Sequence, residues 1–233
     1  DELDDLARAS RDRLAGRLRL GVIPTIAPYL LPAVIEGLTR AYPGLDVHVR
    51  ETLTQRLLQE LSEGRLDAAI VALPVSEPAF TEVALFTETL VLVRPEADAD
   101  RPVPSREMLR EMRLLLLEEG HCFRDQALSF CNMQSALPRE RLDGSSLSTL
   151  VQMVGAGLGV TLIPEMAVDV ETRSAAVSVA RLNPPQPTRT VGMIWRRTNP
   201  LAGQLMQISE IVRDAAGVPH GQDGAASARL PAG

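Results

Sequence analysis

Residues 17–73 read RLRLGVIPTIAPYLLPAVIEGLTRAYPGLDVHVRETLTQRLLQELSEGRLDAAIVAL, and two apolar periods alternate through them. From Arg17 to Val22, Leu18, Leu20 and Val22 share one face, the period of a half-buried strand. Pro24 and Pro28 end it. From Tyr29 to Tyr42, Leu30, Leu31, Val34, Ile35, Leu38 and Ala41 recur at helical spacing. The alternation returns as a strand over Leu45 to Glu51 and a helix over Gln55 to Glu63. The apolar run Ala68 to Leu73 follows, with the length and composition of a strand buried on both faces. Strand, helix, strand implies parallel crossovers, so the expected class is α/β.

Past this stretch, strands are expected at Leu90 to Val93, Arg113 to Leu117, Val160 to Ile163 and Val191 to Trp195. Helices are expected around Ser105 to Arg110, Phe123 to Phe130, Leu147 to Val154 behind the capping candidates Ser145 and Ser146, and Leu201 to Val212. Two comparable α/β units emerge, divided near Arg94, with a ligand cleft expected between them. Asp1 to Ala15 carries Leu3, Leu6, Ala7 and Leu14 at helical spacing and reads as the end of a linker helix. Val218 to Gly233, poor in apolar residues, reads as a disordered tail.

Composition narrows the chemistry. All 24 cationic side chains of the 233-residue chain are Arg. No P-loop lysine and no Schiff-base lysine is therefore available within it. Cys122, Cys131, His48, His121 and His220 match no zinc-site spacing, so neither a metal nor a cofactor is expected. The net charge of −6 argues against nucleic-acid binding by these residues themselves. No run approaches a membrane span and no signal peptide is visible, which points to the cytoplasm.

Gly155-Ala-Gly157-Leu-Gly159 follows a helix and precedes a strand, the reverse of a dinucleotide-binding turn, and reads as a helix C-cap. Thr25 and Thr54 each lie in a turn between a strand and a helix, where a hydroxyl either caps the helix or faces a ligand. His48 lies opposite the apolar face of its strand and is expected in solvent, and His220 falls in the tail. Arg189, between Thr188 and Thr190, is either exposed or reaches the cleft. The densest chemistry is Glu118-Glu-Gly-His-Cys-Phe-Arg-Asp-Gln126. Cys122 opens a short helix beside His121 and Arg124, a setting that favours thiolate; a small buried hydrophobe is the other reading of the same residue. If the nine residues to Cys131 are helical, a rise of 1.5 Å each separates the Cα atoms by roughly 13 Å, whereas a disulfide needs about 4.4 to 6.8 Å. Bonding the pair would then require unwinding the helix.

The run Gly-His-Cys-Phe-Arg-Asp-Gln-Ala from 120 to 127, with Phe130-Cys131 behind it, resembles the peroxide-sensing members of the LysR-type transcriptional regulators. The resemblance extends through Gly21 to Pro32, Glu51 to Thr54 and Gly155 to Pro164. It implies a periplasmic-binding-protein-like effector domain of two Rossmann-like subdomains, with 17–93 plus 196–217 in the first and 94–195, including a redox loop at 118–135, in the second. Cys122 matches the peroxidatic cysteine and Cys131 the resolving one; Thr25, Thr54, His121, Arg124, Asp125 and Arg189 match the residues around the peroxide. Phe123 stands where the best-known members carry Leu. The implied partners are hydrogen peroxide, further copies in a homodimer or homotetramer, promoter DNA through an N-terminal helix-turn-helix, and a thiol reductant such as glutaredoxin or thioredoxin. The implied role is a stoichiometric sensor rather than an enzyme. An effector domain for a small metabolite and a thiol peroxidase are the alternatives.

Overall fold

The computed structural model describes residues 16–131 and 143–217; the linker helix and the tail expected at the two ends, and residues 132–135 of the expected redox loop, lie outside them. The opening stretch folds as β1 (Gly16–Val22), α1 (Ala27–Ala41), β2 (Leu45–Glu51), α2 (Thr54–Ser62) and β3 (Ala68–Leu73). β1 pairs in parallel with both β2 and β3, as crossovers through α1 and α2 require. On β1 the face that the spacing assigns to the interior, Leu18, Leu20 and Val22, is buried. On α1 Leu30, Val34 and Leu38 are buried, Leu31 is partly so, and Ile35 and Ala41, given the same face by the spacing, are exposed because the covered stripe is narrower.

Beyond β3 comes β4 (Phe80–Pro95), a single strand of 16 residues, where the sequence suggested one of four at Leu90 to Val93. Its first half is hidden from pattern reading because its acidic residues are spent internally. Glu82 accepts from the amide of Ser76 at 2.8 Å, and Glu88 is ion-paired with Arg189. β4 is the seam of the molecule. Phe80 to Thr89 pairs antiparallel with β9 (Thr188–Arg196), and Leu90 to Pro95 pairs antiparallel with β7 (Thr161–Pro164) and β8 (Val177–Ala180). The short α3 (Arg106–Glu111), capped by Ser105, leads to β5 (Leu116–Leu117), α4 (Cys122–Phe130), β6 (Asp143–Gly144), α5 (Leu147–Gly155) and α6 (Val168–Glu171). Of the two serines proposed as caps for α5, Ser146 takes the role, its Oγ accepting from the Thr149 amide at 3.2 Å. The glycine run ends that helix, with Gly157 at a left-handed φ of 78°. Finally α7 (Ala202–Ala215) returns to pack on α1.

Two hydrophobic cores result. The first runs from Leu18 to Leu85 and resumes from Val191 to Val212; the second spans Leu90 to Leu182. The chain thus changes core within β4 and again before β9, a few residues ahead of the division expected at 93/94 and 195/196, because one continuous strand serves both sides. No helix among the described residues is long and apolar enough to cross a membrane.

Candidate functional site

Cys122 is the first residue of α4, with His121 at the N-cap. The turn before it needs Gly120, whose φ of 94° is a conformation other residues rarely adopt, and a Cβ there would stand 3.1 Å from Leu53. Set by this turn, Cys122 is half-buried against the first core. It lines a cavity of about 10 Å³ with Thr25, Leu53, Thr54, His121 and Phe123. That is room for a molecule about the size of water.

Both threonines line this cavity, and neither caps its helix. Ile26 and Leu53 occupy the N-cap positions of α1 and α2, and neither helix has a side-chain cap. Thr25 Oγ1 instead accepts from Arg189 Nη1 at 2.8 Å, while Arg189 Nη2 binds the Thr25 carbonyl at 2.9 Å. With its oxygen engaged, the hydroxyl of Thr25 keeps its own hydrogen to donate. Thr54 Oγ1 is buried and has no partner among the described residues. An orphaned buried hydroxyl costs about 1–3 kcal/mol, so a donor is held unspent at the cavity wall.

Arg189, for which the sequence left exposure or the cleft open, is buried, with a side chain of 0% exposure against 8% for Glu88. Its Nε donates to Glu88 Oε1 at 2.7 Å, and its guanidinium lies 5.5 Å from the centroid of the Phe123 ring. The cation thus ties β9, β4, the turn at Thr25 and the first residues of α4 together. His121 contributes no charge: burial pushes its pKa below 6.5, with Glu118 opposing, so the imidazole is neutral near pH 7.

Arg124 and Asp125 are not brought to the cavity. Arg124 is 2% exposed, and its Nη1 donates to the Leu117 carbonyl at 2.6 Å and lies 3.2 Å from Asp143. Asp125 is exposed on α4 beside Gln126 and Ser129, along a separate cavity that reaches Thr188. The match of Arg124 and Asp125 to residues around the peroxide is therefore corrected: neither lines the cavity, and the carboxylate on Arg124 is that of Asp143. Successive helical residues point about 100° apart, which explains the divergence. His48 is in solvent, as expected, 2.7 Å from Asp46.

Cys131 follows the last turn of α4 and is fully buried in the second core, where burial pushes its thiol up to about 11 against the pull of Arg106 and Arg110. Both cysteines are free. The intervening residues are helical, so the two thiols sit at opposite ends of one helix and in different cores.

Three participants escaped sequence reading. Glu88 is a charged residue in a strand without clear alternation, and only its distant partner Arg189 marks it. Tyr29 donates to Glu171 at 2.6 Å across a cleft of about 360 Å³ between the two units, and no local pattern links residues 142 apart. Burial and this carboxylate raise the Tyr29 pKa. Among the described residues no group of His, Cys, Asp and Glu could hold a metal ion.

The fold and the thiol site together define a two-unit α/β domain with a cysteine-lined cavity. The chain belongs to the LysR substrate binding domain family, whose model matches residues 11–217. Within that family it is similar to the DNA-binding transcriptional dual regulator OxyR of Escherichia coli K12, with 38% identity over 216 residues, 91% of this chain and 70% of that protein. A probable hydrogen peroxide-inducible genes activator of Streptomyces viridosporus is 43% identical over 213 residues, covering 90% of this chain and 68% of the relative. Among solved structures, a hydrogen peroxide-bound cysteine-to-serine mutant of Corynebacterium glutamicum OxyR matches with a TM-score of 0.82 at 32% identity, over 93% of this chain and 70% of the other. The reduced OxyR regulatory domain of Pseudomonas aeruginosa matches with a TM-score of 0.78 at 35% identity, over 90% and 100%.

Proposed function

We propose that this domain senses hydrogen peroxide through Cys122 and passes the signal on by forming a disulfide with Cys131. The observation that carries the reading is the cavity itself: a thiol at a helix N-terminus beside two threonines, in a space of about one water that would have to widen slightly for peroxide. Peroxide there would accept hydrogen bonds from Thr25 and Thr54. The Cys122 thiolate attacks one peroxide oxygen, the S–O bond forms and the O–O bond breaks. The second oxygen leaves as hydroxide, stabilised by those donors, and is protonated to water. In a second step Cys131 displaces the sulfenic hydroxyl as water and the S–S bond closes. Since the thiols occupy opposite ends of α4, this step unwinds the helix and pulls Cys131 from its core. Arg189 acts from behind Thr25, and Arg124 helps position α4 and not the peroxide.

The similarity to peroxide-inducible activators supports carrying the change to other copies of the chain and to promoter DNA, and a cytosolic dithiol reductant would reset the switch. The test uses two variants. Cys122→Ser is expected to leave the protein inert to peroxide, whereas Cys131→Ser should accumulate a sulfenic acid that dimedone labels. Labelling of Cys122→Ser, or none in Cys131→Ser, would show that the roles are misassigned.

A further inference from the structure

The second chemical step depends on how firmly α4 ends. Cys131 closes the helix, its amide bonding to the Ala127 carbonyl at 3.1 Å. Its own carbonyl is one of those that a helix C-terminus leaves without an internal partner. Arg110 Nε donates to it at 2.7 Å. One residue earlier, the guanidinium carbon of Arg106 lies 4.6 Å from the centroid of the Phe130 ring. Arg106 and Arg110 are four residues apart on α3 and so share a face, a like-charge spacing that by itself slightly destabilises a helix. Both cations meet the negative end of the α4 dipole, where positive charge is favourable.

Cys131, Leu128 and Ala127 are held by the second core, whereas Phe130 is only partly buried. Phe130 stands between two cavities, one of about 260 Å³ against Pro104, Leu182 and Pro185, the other of about 440 Å³ against Leu90, Ser129 and Pro187. The ring therefore has space on both sides; Arg106 supplies a directed contact to it, and Arg110 holds the carbonyl of the next residue.

We propose that Arg106 and Arg110 are positioning residues that pin the C-terminal turn of α4 and thereby set how fast Cys131 reaches a sulfenic acid on Cys122. This rests on the sensor reading above. In the step concerned, Cys131 sulfur attacks Cys122 sulfur, the S–O bond breaks, and the hydroxyl leaves as water with the Cys131 thiol proton. Before the sulfurs can meet, the Arg110 hydrogen bond and the Arg106 stacking must open. The two guanidiniums hold the resolving thiol back and leave the peroxide step, at the other end of the helix, untouched.

The experiment mixes the 233-residue chain with one equivalent of peroxide, quenches it with an alkylating agent at successive times, and resolves thiol, sulfenic acid and disulfide by mass. In Arg106→Ala/Arg110→Ala, loss of the Cys122 thiol is expected to match the parent within about twofold. Conversion of sulfenic acid to disulfide is expected to be at least about tenfold faster, since a charged hydrogen bond and a cation–π contact together exceed that scale. Arg110→Lys should retain part of the slowing. Conversion that is no faster in the double variant, from a parent that does form the disulfide, overturns the clamp alone. A parent that keeps both thiols sinks the sensor reading and the clamp with it. Amide exchange on the reduced proteins adds a readout free of redox chemistry: residues 127–131 should lose protection in Arg110→Ala while α5 keeps it, and unchanged protection at 127–131 also counts against the clamp.

Discussion

Arg189 is the residue on which most of the site leans. Its guanidinium meets Glu88, the hydroxyl and carbonyl oxygens of Thr25 and the face of Phe123, with no solvent exposure. Removing one member of a buried ion pair costs about 3–5 kcal/mol because the remaining charge is left uncompensated. Arg189→Met is expected to lower stability by about that amount in a urea titration and to slow Cys122 oxidation. Arg189→Met/Glu88→Gln should recover part of the stability but not the rate, since Thr25 is still released. The cysteines should separate just as clearly. With its thiol at about 11 and no exposure, Cys131 is almost wholly protonated at pH 8, so iodoacetamide should modify Cys122 at least ~100-fold faster. His121 sets a pH dependence. Its pKa is lower folded than unfolded, so below about 6.5 the unfolded chain binds the proton first and stability falls, levelling off below the folded value. The urea midpoint should therefore drop between pH 7 and pH 5, and His121→Gln should flatten that part of the profile.

At the scale of elements, patterns within a single helix or strand were legible and contributions from distant strands were not. β1, α1, β2, α2 and β3 follow from apolar composition and period: β1, α1 and α2 each bury one face, β3 is a continuous apolar run buried on both faces, and the half-covered β2 still alternates over its first residues. The start of α4 was visible too, because helix-opening chemistry is local. β4 was legible only over Leu90 to Val93: the buried carboxylate of Glu88 breaks the alternation, and what repays its burial is an arginine 101 residues away. The polarity of the Cys122 segment showed that a site was there, but not which side chains face it, because that depends on how α4 is rotated against β6. Thus Thr25, Thr54 and His121 line the cavity and Arg124 and Asp125 do not. The glycine run, by contrast, was legible from its own residues. Gly157 has left-handed φ and open space where a methyl group would stand, so Gly157→Ala should cost only the backbone strain, about 1–2 kcal/mol. A Cβ on Gly159 would stand 2.4 Å from the Arg113 carbonyl, so Gly159→Ala should cost more and lower the thermal midpoint further.

For the whole molecule, the decisive feature is that one helix has an end in each of two cores. Cys122 packs against the first and Cys131 lies within the second, while β4 and the Tyr29–Glu171 bridge tie the units together. A disulfide between these residues cannot form by a local adjustment, so on the proposed reading oxidation at one small cavity would become a rearrangement that the packing between the units must register. The most direct measurement is a count of free thiols in the native chain before and after one equivalent of hydrogen peroxide, under conditions where no second chain can supply a thiol. A fall from two to none is the expected result; two thiols remaining after peroxide would contradict it.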